Sequence, residues 1–247
     1  MPTDQITRPT GGTAALECVD LVKSFGGVPV LKGVSLALRE GTVTALAGEN
    51  GAGKSTMMKI ASGQLRADKG HVLVGEEQLA AADPKAAHRL GVAIVPQELA
   101  SIDEMTVYEN LFVGRELRSR FGLLDRRAMI RSARESLGVF EVDIKPTTLM
   151  GRLPVGLRQL VEIVKCTSRG ARVLLLDEPT SAIAEREVEG LYRVVRQLRD
   201  QGVSMVITTH KMEEMRALAD ASSSCVTATS SPTSRWPTSP TTASSPP

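Results

Sequence analysis

Residues 46–63 read LAGENGAGKSTMMKIASG and carry the most specific fold signal in the chain. Their glycines, Lys54 and Ser55 fit the pattern G-x-x-x-x-G-K-[ST] over residues 48–55. A strand-like run (42–47) precedes the glycines, and a helix-like run (54–62) closed by Gly63 follows them. This is the context that the motif requires, so the sequence predicts a strand–turn–helix unit that binds phosphate.

The predicted loop has a clear physical role for each residue type. The glycines let the backbone bend so that successive N–H groups point at phosphate oxygens, and the helix N-terminus adds partial positive charge. Lys54 then reaches the outer phosphates, and the Ser55 hydroxyl binds Mg²⁺. The bland alternative is a glycine-rich turn that merely begins a helix. The candidate nucleotide-binding residues of this loop are Gly48, Glu49, Asn50, Gly51, Ala52, Gly53, Lys54, Ser55 and Thr56.

Composition favours an ordinary globular protein in a reducing compartment. The chain has 247 residues, 42% of them hydrophobic, and a formal net charge of +2, so charge alone gives no sign of nucleic-acid binding. The cysteines at 18, 166 and 225 lack metal-ligand spacing. No apolar run approaches the roughly 20 residues of a membrane span, so we expect any membrane role to go through a partner.

Strand-like and helix-like segments alternate along the chain, which predicts an α/β fold. The predicted strands are 16–25, 34–38, 42–47, 92–95, 172–178 and 203–208. The predicted helices are 54–62, 85–90, 107–113, 126–137, 157–166 and 185–199. Residues from about 98 to 165 are mostly helical in pattern, so we expect a helical insertion there.

An acidic pair follows the apolar run RVLLL, residues 172–176. Asp177 then lies at the end of a buried strand and can hold Mg²⁺, directly or through water. Glu178, one residue further, can polarise an attacking water. Alone, such a pair is usually a strand end that meets solvent, but the phosphate loop makes the functional interpretation stronger.

Two further polar residues follow predicted strands. His210 follows VSMVITT (203–209), and Gln97 follows AIVP (93–96). Parallel strands present their carboxyl ends at one edge of the sheet, which puts both residues near the phosphate loop. There His210 can donate to a γ-phosphate or position water, and Gln97 can reach the Mg²⁺ and the water.

These residues in this order resemble the ATPase cassette of an ABC transporter, over about residues 16–220. The specific elements are the phosphate loop, Gln97, LPVGLRQ (153–159), LLLDEPTSA (174–182) and His210. The resemblance implies a P-loop NTPase fold with a mostly parallel sheet core, an inserted helical subdomain, and binding of ATP and Mg²⁺. It also implies that Phe25 stacks on adenine and that Gly156 contacts ATP. The implied catalytic residues are Glu178, His210 and Gln97, and the implied metal ligands are Ser55, Gln97 and Asp177.

The details resemble one branch of that family, the ATP-binding subunits of bacterial monosaccharide importers of the ribose, galactose or xylose type. The segments that carry this likeness are AGENGAGKSTMMKIASG (47–63), VPQELASIDEMTVYENLFVGRE (95–116) and LVEIVK (160–165). In that branch one chain usually carries two cassettes, and this chain matches the first.

The branch implies ATP hydrolysis that energises sugar import. The implied partners are integral membrane permease subunits, a second ATPase cassette on this or another chain, and indirectly a sugar-binding protein, with no nucleic acid. The helical segment near residues 108–110 then faces the permease. The expected location is cytoplasmic, peripheral on the inner face of the cell membrane.

Three residues depart from the family pattern. Pro154 replaces the signature serine, Leu157 replaces a common glutamine, and Ala184 replaces an acidic residue. Pro154 removes a hydroxyl donor and a backbone N–H. One alternative is therefore a truncated cassette that binds nucleotide but is deficient in hydrolysis. Another, an ABC-type ATPase outside transport, needs coiled-coil arms or a charged linker, which the sequence lacks.

The two ends differ from the predicted cassette at 14–220. Residues 1–13 predict a flexible tail, and the Ser/Thr/Pro-rich segment 221–247 predicts a disordered one because it cannot bury enough apolar surface. A natural linker explains that segment. The other hypothesis is a frameshift, because ASSSCVTA (221–228) shifted by one base can encode the strand that the family expects there.

Overall fold

The computed structural model describes residues 14–48 and 51–220. Both predicted tails, the frameshift hypothesis, and the proposed phosphate ligands Glu49 and Asn50 lie outside the described residues. The strands are β1 (Ala14–Phe25), β2 (Val28–Arg39), β3 (Val43–Ala47), β4 (Lys69–Val74), β5 (Glu77–Gln78), β6 (Val92–Val95), β7 (Val173–Asp177) and β8 (Ser204–Thr209). The α-helices are α1 (Lys54–Ala61), α2 (Pro84–Arg89), α3 (Val107–Phe112), α4 (Arg126–Val139), α5 (Val155–Thr167), α6 (Glu185–Asp200) and α7 (Met212–Leu218), with a 3₁₀ turn at Met150–Arg152.

A four-stranded parallel sheet forms the centre of the molecule, in the order β3-β8-β7-β6. Side chains of β7 alternate between two hydrophobic cores: Leu174 and Leu176 pack on the side of α5 and α6, whereas Val173 and Leu175 pack on the side of α1. All five residues of β7 are buried. The structure therefore confirms the prediction that this continuous apolar run is a parallel strand covered on both faces.

A second, antiparallel sheet has the order β2-β1-β4-β5. Its first turn lies at Gly26 and Gly27, directly after the predicted strand 16–25, and their φ angles are +55° and +83°. Glycine suits this turn because positive φ costs it little. The sequence analysis missed β4 and placed the start of β2 at Val34, six residues late, because Pro29 and Gly33 weaken the strand pattern. Pairing with β1 extends β2 back to Val28.

Three helices lie between β6 and β7, and their bounds agree with the prediction to within two residues at each end. Thr106 begins α3 with a capping box: its hydroxyl accepts the Glu109 N–H, and the Glu109 carboxylate accepts the Thr106 N–H at 2.8 Å. Asp125 caps α4 by accepting the Ala128 N–H at 2.9 Å. These caps explain why the helices begin where the sequence predicts.

The register of the parallel sheet places the carboxyl ends of its strands at one edge. Ala47 at the end of β3 pairs with Thr209 on β8, and Thr208 pairs with Asp177 on β7. Val95 on β6 pairs with Leu176, so the chain leaves β6 at the same edge. Residues that follow these strands therefore meet the loop between β3 and α1.

Candidate active site

The loop between β3 and α1 depends on glycine at two described positions. Gly51 and Gly53 have φ angles of +87° and +86°, in the left-handed region. A Cβ atom on Gly53 would lie 2.7 Å from Leu31 Cδ2 and 3.1 Å from the Val30 carbonyl oxygen, both on β2. Gly53 therefore combines an unusual backbone angle with a close approach that no side chain permits.

Lys54 begins α1 and is largely buried, with 9% of its surface exposed. Its ammonium group donates a hydrogen bond of 2.6 Å to the Gly48 carbonyl oxygen across the loop. No described side chain caps the N-terminus of α1, so the first-turn N–H groups of the helix keep their capacity to bind an anion. Ser55 is exposed and Thr56 is half-buried in this same turn.

Asp177 connects the end of β7 to two hydroxyl groups. Its Oδ1 atom accepts a hydrogen bond of 3.2 Å from Ser55 Oγ and one of 2.7 Å from Thr208 Oγ1. Asp177 is buried and Ser55 is exposed, so the pair extends from the sheet edge to solvent. Hydroxyl and carboxylate oxygens are the ligands that Mg²⁺ prefers.

Glu178 directs its carboxylate toward two other residues that the sequence predicts for the site. Its Oε2 atom accepts a hydrogen bond of 3.4 Å from Gln97 Nε2 and lies 3.7 Å from His210 Nδ1. The Glu178 side chain is 15% exposed, whereas that of His210 is 50% exposed. The structure thus brings a carboxylate, an amide and an imidazole together at the edge of the parallel sheet, beside the Ser55–Asp177 pair.

The backbone at Glu178 is unusual. Its φ angle is +45°, which is uncommon for a residue with a side chain. Its N–H donates a hydrogen bond of 2.8 Å to Thr208 Oγ1, and its carbonyl oxygen accepts one of 3.1 Å from the Ser181 N–H. Such strain is often found at functional sites, where neighbouring groups hold the backbone in place.

Sequence reasoning missed the threonines at the end of β8. Thr208 serves both Asp177 and the Glu178 N–H, and it is fully buried. The signal was present, because two adjacent threonines directly precede His210 in ITTH (207–210). Because buried hydroxyl groups need hydrogen-bond partners, two threonines at the end of a buried strand indicate polar groups on the neighbouring segments.

Phe25 lies at the end of β1 and is 48% exposed. The ammonium group of Lys23 lies 5.5 Å from the centre of its ring. β2, which follows the Gly26–Gly27 turn, contacts Gly53 through Leu31. The exposed ring is therefore on the hairpin that packs against the phosphate loop.

Gly156 is not gathered with the other predicted residues. It lies in the first turn of α5, and a Cβ atom there would be 2.6 Å from Glu187 Oε2 and 3.2 Å from Ile183 Cγ2. Glycine at this position permits close packing against the start of α6. Pro154 is the N-cap residue of α5, and it offers no side-chain hydrogen bond to the helix.

Of the residues near 108–110, which the family resemblance places toward the permease, two have internal side chains. Tyr108 is 6% exposed and Asn110 is 1% exposed. The Asn110 side chain accepts the Ile102 N–H at 2.8 Å and donates to the Ile102 carbonyl oxygen at 3.0 Å. Asn110 therefore stabilises the segment before α3, because its amide satisfies buried backbone groups.

Comparison with known proteins gives one family. The family described as "ABC transporter" matches residues 31–181. The ribose import ATP-binding protein RbsA of Rhodopirellula baltica is 46% identical over 204 residues, which cover 83% of this chain and 40% of the relative. RbsA of Chromobacterium violaceum is 47% identical over 201 residues, covering 80% and 39%. The chain therefore spans about two-fifths of the length of these curated relatives.

A solved structure shares the fold. The crystal structure of a nucleotide-free ATP-binding cassette from an ABC transporter superimposes with a TM-score of 0.75 and 25% sequence identity. The match covers 84% of this chain and 85% of the other. The α/β architecture with its parallel sheet is therefore that of a P-loop cassette.

Proposed function

This chain belongs to the ABC transporter family, and from that premise we propose that it binds ATP with Mg²⁺ and hydrolyses it to drive import of a sugar. One observation carries the proposal. Ser55 and Asp177 lie 3.2 Å apart at the sheet edge where the carboxylate of Glu178 faces Gln97 and His210. A phosphate loop, a magnesium site and a water-activating carboxylate are the parts that hydrolysis of a nucleoside triphosphate needs.

The loop fits a polyphosphate. The left-handed backbone at Gly51 and Gly53 and the uncapped start of α1 favour an anion at this point. We infer that Lys54 exchanges its hydrogen bond with the Gly48 carbonyl oxygen for phosphate oxygens, since an ammonium binds a charged oxygen more strongly than a neutral carbonyl. Phe25 then provides an exposed ring for the adenine on the adjoining hairpin.

The donor set fits Mg²⁺. Ser55 and Asp177 offer a hydroxyl and a carboxylate oxygen, and Gln97 offers an amide oxygen nearby. Within residues 14–48 and 51–220, no group of three or more acidic, histidine or cysteine side chains could hold a metal by itself. Ser55, Asp177 and Gln97 would hold Mg²⁺ through the oxygens named above. When bound, ATP with Mg²⁺ would supply the phosphoanhydride bond that is hydrolysed and the positive charge that offsets the phosphates.

The carboxylate of Glu178 is the group we assign to water activation. It is mostly shielded from solvent, and Gln97 and His210 approach the same oxygen, Oε2. In this arrangement Glu178 accepts a proton from water, Gln97 orients that water, and His210 donates toward the phosphate oxygens. All three roles use side chains that already lie close to Glu178 Oε2.

Sugar import and its partners follow from the relatives. Both RbsA proteins are named as ribose import ATP-binding proteins, which supports a monosaccharide as the cargo, a permease as the membrane partner, and a sugar-binding protein as an indirect partner. Residues 14–220 then act as one cassette, in which residues 98–165 form a helical subdomain. A second cassette, on this or another chain, would contact ATP through Gly156.

We place the working protein at the inner face of the cell membrane, attached through the permease. In the part of the chain that the structure describes, no helix has both the length and the apolar character of a membrane span. The experiment that tests the function measures ATP turnover of the full chain, alone and with its permease reconstituted in vesicles. We expect turnover that rises with the permease and with sugar-loaded binding protein. Equal and negligible turnover in both conditions would contradict the proposal.

A further inference from the structure

A buried carboxylate lies behind the candidate active site. Glu214, in the first turn of α7, is 4% exposed. Its two oxygens accept hydrogen bonds from different threonines: Thr180 Oγ1 donates to Oε1, and Thr209 Oγ1 donates to Oε2 at 2.6 Å. Both threonines are buried as well, at 2% and 3%.

The two threonines belong to the two segments that carry the candidate catalytic side chains. Thr180 lies in the turn that begins at Glu178, which the Ser181 N–H closes by donating to the Glu178 carbonyl oxygen at 3.1 Å. Thr209 directly precedes His210. Through these hydrogen bonds, Glu214 connects the segment that directly follows Glu178 with the segment that directly precedes His210.

The two adjacent threonine hydroxyls at the end of β8 bind different partners. Consecutive strand residues point to opposite faces of a sheet. Thr208 donates to Asp177 and accepts the Glu178 N–H, whereas Thr209 donates to Glu214. The strained backbone of Glu178 is thus held on one side directly by Thr208 and on the other through the Thr180–Glu214 bond.

Lys211 also approaches Glu214, with its ammonium nitrogen 3.3 Å from Oε1. The Lys211 side chain is 45% exposed, so solvent screens this ion pair. The hydroxyl bonds are the buried ones. A carboxylate whose two oxygens accept from two separate segments fixes the position of one segment relative to the other, and Lys211 adds a weak contact of 3.5 Å with Thr180 Oγ1.

We propose that Glu214 is a positioning residue, which sets the distance between Glu178 and His210 by binding Thr180 and Thr209 together. The catalytic part of this inference rests on the proposed function. The structural part of the inference, that Glu214 couples the segments around Thr180 and Thr209, does not depend on turnover.

The histidine signals of the chain provide a direct readout of that coupling. The sequence contains three histidines, His71, His88 and His210, so their ring Cε1–H resonances can be resolved by NMR and assigned with a His210→Gln variant. The NMR measurement uses the nucleotide-free full chain at a fixed pH. Glu214→Gln keeps the shape of the side chain but removes its charge. Thr180→Val removes the hydroxyl that donates to Glu214 from the segment after Glu178.

We expect both variants to move the His210 resonance and to leave that of His71 unchanged. Glu162→Gln is the matched control, because Glu162 is 5% exposed and lies 3.3 Å from Lys165 on α5. It should leave the His210 resonance in place. An unmoved His210 resonance in folded Glu214→Gln, or an unmoved one in Thr180→Val if the first variant does not fold, would overturn the proposal.

Turnover provides the second readout. A misplaced Glu178–His210 pair should lower kcat by about tenfold to a hundredfold, while KM for ATP changes little, because the phosphate loop is not touched. Thr180→Val should add little in the Glu214→Gln background, since both substitutions break one coupling. A rise in KM with unchanged kcat would contradict a positioning role. If the parent chain has no turnover, the proposed function fails, and the His210 resonance still decides the coupling.

Discussion

The Ser55 hydroxyl donates a hydrogen bond of 3.2 Å to Oδ1 of Asp177, 122 positions later in the chain. Ser55 belongs to the helix that follows the phosphate loop, and Asp177 ends a central strand. Their contact joins the two motifs that the sequence predicts separately. These two side chains would hold a divalent cation such as Mg²⁺, which prefers hydroxyl and carboxylate oxygens.

Replacing Lys54 with alanine should weaken ATP binding. A hydrogen bond to a charged group is worth about 1.5–3 kcal/mol, so the dissociation constant should rise about tenfold to a hundredfold. Isothermal titration of the purified chain with ATP measures this. Lys59→Ala is the matched control, because Lys59 is exposed on the same helix. Equal affinity of the Lys54→Ala variant and the parent would remove Lys54 from the site.

Replacing Glu178 with glutamine should preserve ATP affinity and lower turnover by about a hundredfold or more, since general bases contribute that much. Glutamine keeps the hydrogen-bonding shape but cannot take the proton. The assay uses the chain in a functional complex with its permease. Glu213→Gln, which changes an exposed carboxylate on α7, should leave turnover unchanged. Full turnover in Glu178→Gln would mean that another group activates the water.

Replacing Pro154 with serine should have two separable effects. Pro154 occupies the N-cap of α5 with an extended backbone and no side-chain cap, so serine should add about 0.5–2 kcal/mol to the free energy of unfolding. The added hydroxyl should also promote ATP-dependent pairing of cassettes or raise turnover.

Two measurements separate these effects: thermal unfolding without nucleotide, and light scattering with and without ATP. Pro84→Ser, at the exposed start of α2, should change neither α5 nor pairing. A gain in stability without any gain in pairing or turnover would show that the site tolerates proline.

The capping box of α3 should make stability depend on pH. The Thr106 hydroxyl and the Thr106 N–H, which donate to Glu109 at 2.6 and 2.8 Å, lower the pKa of that carboxyl. A lowered pKa in the folded state contributes stability above the ordinary glutamate pKa of about 4.3, and that contribution is lost as the pH falls through the folded value.

Glu109→Gln should therefore lower the free energy of unfolding by about 1 kcal/mol at neutral pH. The difference from the parent should shrink as the pH falls below about 4.3. Urea unfolding at a series of pH values measures it, and Glu104→Gln, at an exposed residue before the helix, serves as the control. A difference that stays constant with pH would show that the Glu109 charge does not stabilise the cap.

Local patterns predicted the elements well where one signal acted alone. The run RVLLLDE predicted β7, and the predicted helix 85–90 corresponds to α2, whose N-cap residue Asp83 accepts the Ala86 N–H at 2.9 Å. The prediction failed at β4, β5 and α7 and at the first six residues of β2. For β2 and β4 the sequence alternates weakly, and antiparallel pairing with β1 decides their conformation.

Local signals in the sequence were enough to predict the phosphate loop, the acidic pair and most of the strands and helices, because glycine, proline and apolar periodicity act over a few residues. Long-range packing placed Glu178 opposite His210, made Asn110 internal, and let Glu214 bind both Thr180 and Thr209. The contacts around Glu178 and Glu214 join segments that lie far apart in sequence, 81 residues for Gln97 and Glu178 and 34 for Thr180 and Glu214, because the register of the parallel sheet brings the strand ends together. No local preference encodes that register. It comes from burying both faces of the central strands at once, and that burial also sets which hydroxyl of β8 meets which carboxylate.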